Sequence, residues 1–207
     1  MFTKRKKFPN FNDKKTLIYL MSILCIIIIA PVFFSYKNSK ERAYHQIEEQ
    51  LQSITNIKIK QLSDWYIDEF NDAAVISQNP YIIEILNDIK SSENKEENII
   101  KKVLLQIKKE HNYSEVSLFS TDKEIISSSE TFYNQDNEIF NGLNEAQRTQ
   151  STQTTNLFLS TNRIDTASIA FISPVRIKDI IIAYFVFLMD ANQFITPLLE
   201  TWPIINN

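Results

Sequence analysis

The chain has 207 residues, 43% of them hydrophobic, with a formal net charge of −3, one cysteine and a single glycine, Gly142. That lone glycine excludes the P-loop, the Rossmann turn and the kinase glycine-rich loop, because each brings backbone against phosphate in conformations that only glycine adopts without a Cβ clash. His45 and His111 stand far apart, with no H-E-x-x-H pattern or paired cysteine beside them, so no zinc site and no cofactor are expected and the chain itself is read as non-enzymatic.

Charge is unevenly distributed. Residues 1–36 hold Lys4, Arg5, Lys6, Lys7, Lys14 and Lys15 against Asp13, a balance of +5, which leaves −8 for residues 37–207. An acidic outer region is a poor partner for nucleic acid, where affinity comes from neutralising phosphates. Residues 1–15 are instead read as a cytoplasmic tail that fixes topology and meets anionic membrane lipid. The predominantly apolar run from Leu17 to Phe34 places a transmembrane helix at 16–36, since ~20 residues at 1.5 Å rise cover a ~30 Å hydrocarbon core. With the basic residues on its N-terminal side, the protein is expected in the inner (cytoplasmic) membrane as a single-pass protein, N-terminus inside and C-terminal domain extracytoplasmic. A cleaved signal peptide is the competing reading. The run exceeds the ~7 to 15 residues of an h-region, however, and no A-x-A-like site follows it. Cys25 falls within the span, so the outer ~170 residues can form no disulfide of their own and must be held by a core, for which one domain suffices.

From Ser39 to Gln78 there is neither Pro nor Gly, and Ile47, Leu51, Ile54, Leu62, Trp65, Phe70, Ala73 and Ile76 recur at helical spacing. This predicts one long helix leaving the membrane, whose apolar phase slips near Lys58. The first half faces a partner, a homodimer through this stalk, or else the whole stripe is core; the second half, with Trp65 and Phe70, belongs to the domain. Asn79-Pro80 reads as an N-cap and first position of a second helix through Lys90. A third follows a polar turn, with Ile99, Ile100, Val103, Leu104 and Ile107 as its buried stripe. At Ser114 the period becomes that of strands. Val116–Phe119 and Glu124–Ser128 form a hairpin about Thr121-Asp122-Lys123, a short helix is expected over Glu138–Gln147, and three strands over Asn156–Ser160, Ala167–Val175 and Ile180–Met189. The brief Arg176–Asp179 link makes the last two antiparallel. The fold class is α+β, an antiparallel sheet of about five strands with flanking helices.

This order, hung on a long helix outside a membrane, resembles the Cache family of bacterial sensor domains, whose core is a PAS-like sheet. Lys60–Asn79, KQLSDWYIDEFNDAAVISQN, looks like the family's Trp-bearing helix with its Ser-x-Asn exit. Ser168–Asp190, SIAFISPVRIKDIIIAYFVFLMD, is similar to its final hairpin, with Ser173-Pro174-Val175 on one strand and Asp190 closing the next. Phe194–Pro203, FITPLLETWP, resembles the segment that leads out of a first lobe. The resemblance divides the chain into a tail (1–15), a span (16–36), stalk and flanking helices (37–112), a PAS-like core (113–190) and an exit helix or linker (191–207), as in a receptor truncated before a second lobe and an output module. The turns depart from the family pattern, with Asp122-Lys123 and Lys178-Asp179 where it usually has glycine. The Arg-x-Trp-Tyr cluster of its amino-acid-binding members has no match between Phe132 and Thr155.

In a sensor of this kind a small-molecule ligand sits between the sheet and the irregular middle segment. The resemblance therefore nominates Tyr133, Arg163, Asp165 and Thr166, with Tyr184 and Asp190 on or after the final strand. Arg163 can hold a carboxylate with its fork, and Asp190 can accept from an amine. Each has a plainer reading: Asn162-Arg163-Ile164-Asp165 as a solvated turn, Asp190 as the cap of a helix from Ala191, and Tyr133 as core. The expected function is extracytoplasmic sensing coupled through the span to a kinase, cyclase or chemotaxis output. The alternative is a membrane-anchored scaffold that binds a protein partner. A tethered hydrolase lacks any matched nucleophile and base.

Overall fold

The computed structural model describes residues 14–89, 97–130, 136–160 and 166–201. The chain divides into two compact units, residues 1–57 and 58–207, and helix α1 (Lys14–Ser77) contributes to both.

In the first unit, α1 carries Leu17–Phe34 with every described side chain exposed, and this is a helix long and apolar enough to cross a membrane. Pro31 lies inside it without ending it. A proline in the interior removes one N–H from the ladder, a loss that membrane helices absorb by local adjustment. Ser22 returns its hydroxyl to the Ile18 carbonyl at 2.8 Å, so this polar group is satisfied within the helix.

In the second unit, α1 ends at Ser77 and α2 (Pro80–Ile89) begins almost at once. The expected cap is present, with the Tyr81 N–H donating to Asn79 Oδ1 at 3.0 Å. Helix α3 (Glu97–His111) buries Ile100, Leu104 and Ile107, whereas Ile99, assigned to the same stripe from sequence, stays 43% exposed. Strands β1 (Glu115–Phe119) and β2 (Ile125–Ser128) form the expected hairpin. Helix α4 (Asn137–Thr149) follows.

The single strand expected over Asn156–Ser160 is replaced by two short ones, β3 (Gln153–Thr154) and β4 (Phe158–Leu159), both antiparallel to β5 (Ala167–Ile177). Two-residue pairings are dictated by the long strand they join and leave almost no pattern of their own. Strand β6 (Ile180–Asp190) completes a six-stranded sheet of order β2-β1-β6-β5-β3, with β4 also on β5, and α5 (Ala191–Glu200) follows it. The β5–β6 link is a two-residue turn in which Lys178 (φ 48°) and Asp179 (φ 67°) are both left-handed. This is the turn whose twist suits a hairpin, made here without glycine.

The sheet has two covered faces. Val116, Leu118, Phe171, Val175, Phe185 and Phe187 meet α1, α2 and α3 on one. Trp65 packs there as expected, stacked on Phe194 of α5 with centroids 4.3 Å apart and edge-on to Phe171 at 6.3 Å. On the other face, Phe119, Ala170, Ile172, Tyr184, Val186 and Leu188 meet Ile139, Leu143 and Ala146 of α4.

Candidate functional site

The α4-facing surface of the sheet changes character along the strands. It is apolar at Phe119, Tyr184, Val186 and Ile172. Toward the start of β1 and the end of β6 it becomes polar while staying buried. Alternation puts Glu115 and Ser117 on the same face as Phe119, and all five residues of β1 are buried. Glu115 is 3% exposed. Its Oε1 accepts hydrogen bonds from the Ser117 and Ser128 hydroxyls, at 2.8 and 2.9 Å.

Glu115 stands opposite Leu188, and two residues further along β6 Asp190 stands opposite Ser168 of β5. With strands ~4.8 Å apart and ~3.3 Å per residue, the Glu115 and Asp190 backbones lie about 8 Å apart. Ser168 is fully buried, and its hydroxyl has no hydrogen-bond partner among the described residues; the same is true of buried Ser160, just beyond β4. Buried hydroxyls in native proteins ordinarily find a partner, so two orphans at one end of a sheet mark a place where one is missing. Asp136, 6% exposed, leads into α4 and receives the Ile139 N–H on its carbonyl. Among the described residues no group of three His, Cys, Asp or Glu side chains could hold a metal ion.

The residues nominated from sequence fall into three groups. Tyr133, Arg163 and Asp165 lie outside the described residues. Thr166 and Asp190 come to the polar end: the Thr166 carbonyl accepts from the Ser160 N–H at 3.2 Å, two residues before Ser168. Asp190 does cap α5, its Oδ1 accepting from the Asn192 N–H at 2.8 Å, and the carboxylate remains half-exposed. Tyr184 does not join them. It is 1% exposed in the apolar cluster, six residues and so roughly 20 Å from Asp190 along the strand. Burial pushes its hydroxyl up from the ordinary phenol range, with the Arg176 guanidinium acting the other way.

Glu115, Ser117, Ser128 and Ser168 were missed from sequence. Polar residues alternating with apolar ones signal a strand with one wet face. What separates Glu115 and Ser117 is position, since β1 is internal to the sheet and its second face is covered too.

The sensory domain of the Campylobacter jejuni chemoreceptor Tlp3 superposes on this chain with a TM-score of 0.60 at 14% identity, covering 77% of this chain and 66% of its own. The sensor domain of the V. cholerae histidine kinase DctB gives 0.56 at 14%, covering 78% and 61%. The chain shares the fold of these two domains, the fold that the resemblance to Cache sensors implied. Tlp3 is also similar in its complex with L-valine, at a TM-score of 0.58 and 15% identity. The chain thus spans 61–66% of the length of these Cache-fold structures. No protein-family model matches it, and no curated protein is similar to it in sequence.

Proposed function

We propose that residues 58–207 bind a small molecule bearing an amino group and report it through α1 and the membrane span, as the extracytoplasmic sensing part of a single-pass receptor. The observation that carries this reading is the buried polar end of the α4-facing sheet, where Glu115 and Asp190 share a face with the unpartnered Ser168 hydroxyl. Two acidic residues whose backbones lie about 8 Å apart favour a cation, and the buried hydroxyl gives it orientation. The role is non-catalytic: a ligand bound more tightly by one arrangement of α1 than by another shifts the population and so signals. Arg163, Asp165 and Thr166, which lie between β4 and β5 in sequence, and Tyr133, which lies between β2 and α4, are proposed as further contacts. Basic residues ahead of the span support a cytoplasmic N-terminus against anionic lipid, and Ile47, Leu51 and Ile54 support a homodimer through the stalk.

The test is a thermal-shift screen of the full chain in detergent against amines, amino acids, carboxylates and purines. A ligand at 100 times its Kd stabilises by ~2.7 kcal/mol, about 5 to 11 °C for a protein of this size. The response should disappear in Asp190→Asn, which keeps the acceptor for Asn192 but removes the charge. A second reading, a scaffold for a protein partner, is favoured by an apolar groove of about 370 Å³ between Ile59, Leu62, Trp65, Leu157 and Ile195. A cooperative fold that answers none of the compounds would favour it.

A further inference from the structure

At the other end of β5 the sheet edge is open. Strand β3 pairs only Gln153 and Thr154 with β5, opposite Ile172 and Phe171, and two residues on Pro174 has no N–H with which to extend a ladder. Beyond this point α4 ends in Gln150, left-handed at φ 53°, and the chain turns away from the β5 edge. The result is a cavity of about 480 Å³ between the last turns of α1, the α4–β3 connection and the end of β5.

The cavity has an apolar wall, Tyr66 and Phe70 of α1, and neutral polar groups from Gln78, Gln150, Ser151 and Thr152. Among the described residues its one charged lining residue is Arg176. The Arg176 Nε is buried and has no hydrogen-bond partner, and no carboxylate pairs with this guanidinium among the described residues. Arg176 is partly exposed, but arginine cannot shed its proton, so its buried Nε–H stays without an acceptor until one enters the cavity. Ser173, which also lines the cavity, is already committed, its hydroxyl lying 2.7 Å from that of Ser77 and 2.8 Å from that of Thr152. The charged donor is the arginine.

We propose that this cavity is a second binding site, for a small organic monocarboxylate gripped by the Arg176 fork. The planar guanidinium matches a carboxylate through two parallel N–H···O bonds. A single positive charge, with no second one among the described lining residues, balances one negative charge, so a doubly charged phosphate leaves an uncompensated charge in the cavity. Tyr66 and Phe70 receive the carbon chain, and Gln78 stands just past the C-terminus of α1, so occupancy acts on the end of the helix that leads to the membrane. Arg176 is eight residues, roughly 26 Å, from Ser168 along β5, which separates this site from the polar end of the sheet.

The test uses the full chain in detergent, titrated with sodium pyruvate, sodium butyrate and inorganic phosphate against sodium chloride at equal ionic strength, read by thermal shift and calorimetry. Pyruvate or butyrate should bind, Arg176→Gln should weaken it at least about tenfold, and Asp190→Asn should leave it unchanged. Without ligand Arg176→Gln should melt no lower than the parent, because it removes a buried N–H that has no acceptor. Arg176→Lys, which keeps the charge and loses the fork, should bind more weakly than the parent. Carboxylate binding unaffected by Arg176→Gln, no response to any anion, phosphate preferred over both carboxylates, or a marked loss of stability in unliganded Arg176→Gln would each overturn the assignment.

Discussion

Replacing the chain's one glycine tests how tightly α4 is seated on the sheet. An exposed glycine inside a helix gains ~1 kcal/mol on conversion to alanine, from helix propensity and the lower entropy of the unfolded chain. Gly142 is buried, and a Cβ built on it falls 2.3 Å from Ile172 Cδ1 and 3.3 Å from Thr155 Cγ2. Carbon atoms rest ~3.5 to 4.0 Å apart, so Cδ1 must retreat by more than ~1 Å. Ile172 is itself fully buried among α4 and β6 side chains, and such overpacking costs ~1 to 3 kcal/mol. The penalty exceeds the gain: Gly142→Ala is expected to be less stable by about 1 kcal/mol, a melting temperature lower by ~2 to 4 °C. Ile172→Val removes Cδ1 and alone costs ~0.5 to 1.5 kcal/mol. In the Gly142→Ala background it should cost nothing or restore stability, a coupling of ~1 kcal/mol or more across the cycle. Thermal melts of the four proteins in one detergent measure it. A Gly142→Ala protein that melts higher than the parent, or an Ile172→Val effect equal in both backgrounds, would refute this packing.

Burial pushes the Glu69 carboxyl up from its ordinary value, the Tyr113 hydroxyl and His111 acting against this and Asp72 and Asp68 with it. A carboxyl raised in the folded state contributes stability below its unfolded pKa and loses it as pH rises through the folded one; Glu69→Gln should therefore gain stability relative to the parent as pH rises from 4 toward 7, measured by melts across that range. Asp179→Gly relieves a left-handed residue in the β5–β6 turn and should stabilise by about 0.5 to 1 kcal/mol net of glycine's own entropy cost, read by the same melts. Ile27→Arg at the middle of the apolar run should cost ~2.5 to 3.5 kcal/mol of insertion, seen as protein released from membranes by alkaline carbonate, which leaves the parent in the pellet.

The local elements were legible where one physical signal dominates. Forty residues without Pro or Gly gave the helix leading to Ser77, Asn79-Pro80 gave the start of α2, and the short link read at Arg176–Asp179, in fact only Lys178-Asp179, gave the β5–β6 hairpin. Signals that depend on a partner were not. β3 and β4 exist because β5 is long enough to carry both, and Ile99 sits on a helical stripe without being covered. The candidate site divides in the same way. Asp190 stood out as an acid at a strand end, and it proves to be both a helix cap and a neighbour of Ser168. Glu115 and Ser117 were not singled out, because nothing in a strand's own alternation tells whether its second face is covered. Arg176 looked like part of a turn; the cavity it lines is shared with Pro174 and with helix α1, far away in sequence.

The most direct test of sensing at the α4-facing end is hydrogen exchange on the full chain in nanodiscs, with and without the compound that gives the largest Asp190-dependent thermal shift. Slowed exchange concentrated in peptides covering 113–118, 155–168 and 186–192 is the expected result. Slowing confined to 59–66 and 191–198 along the apolar groove, with those three peptides unchanged, would contradict it.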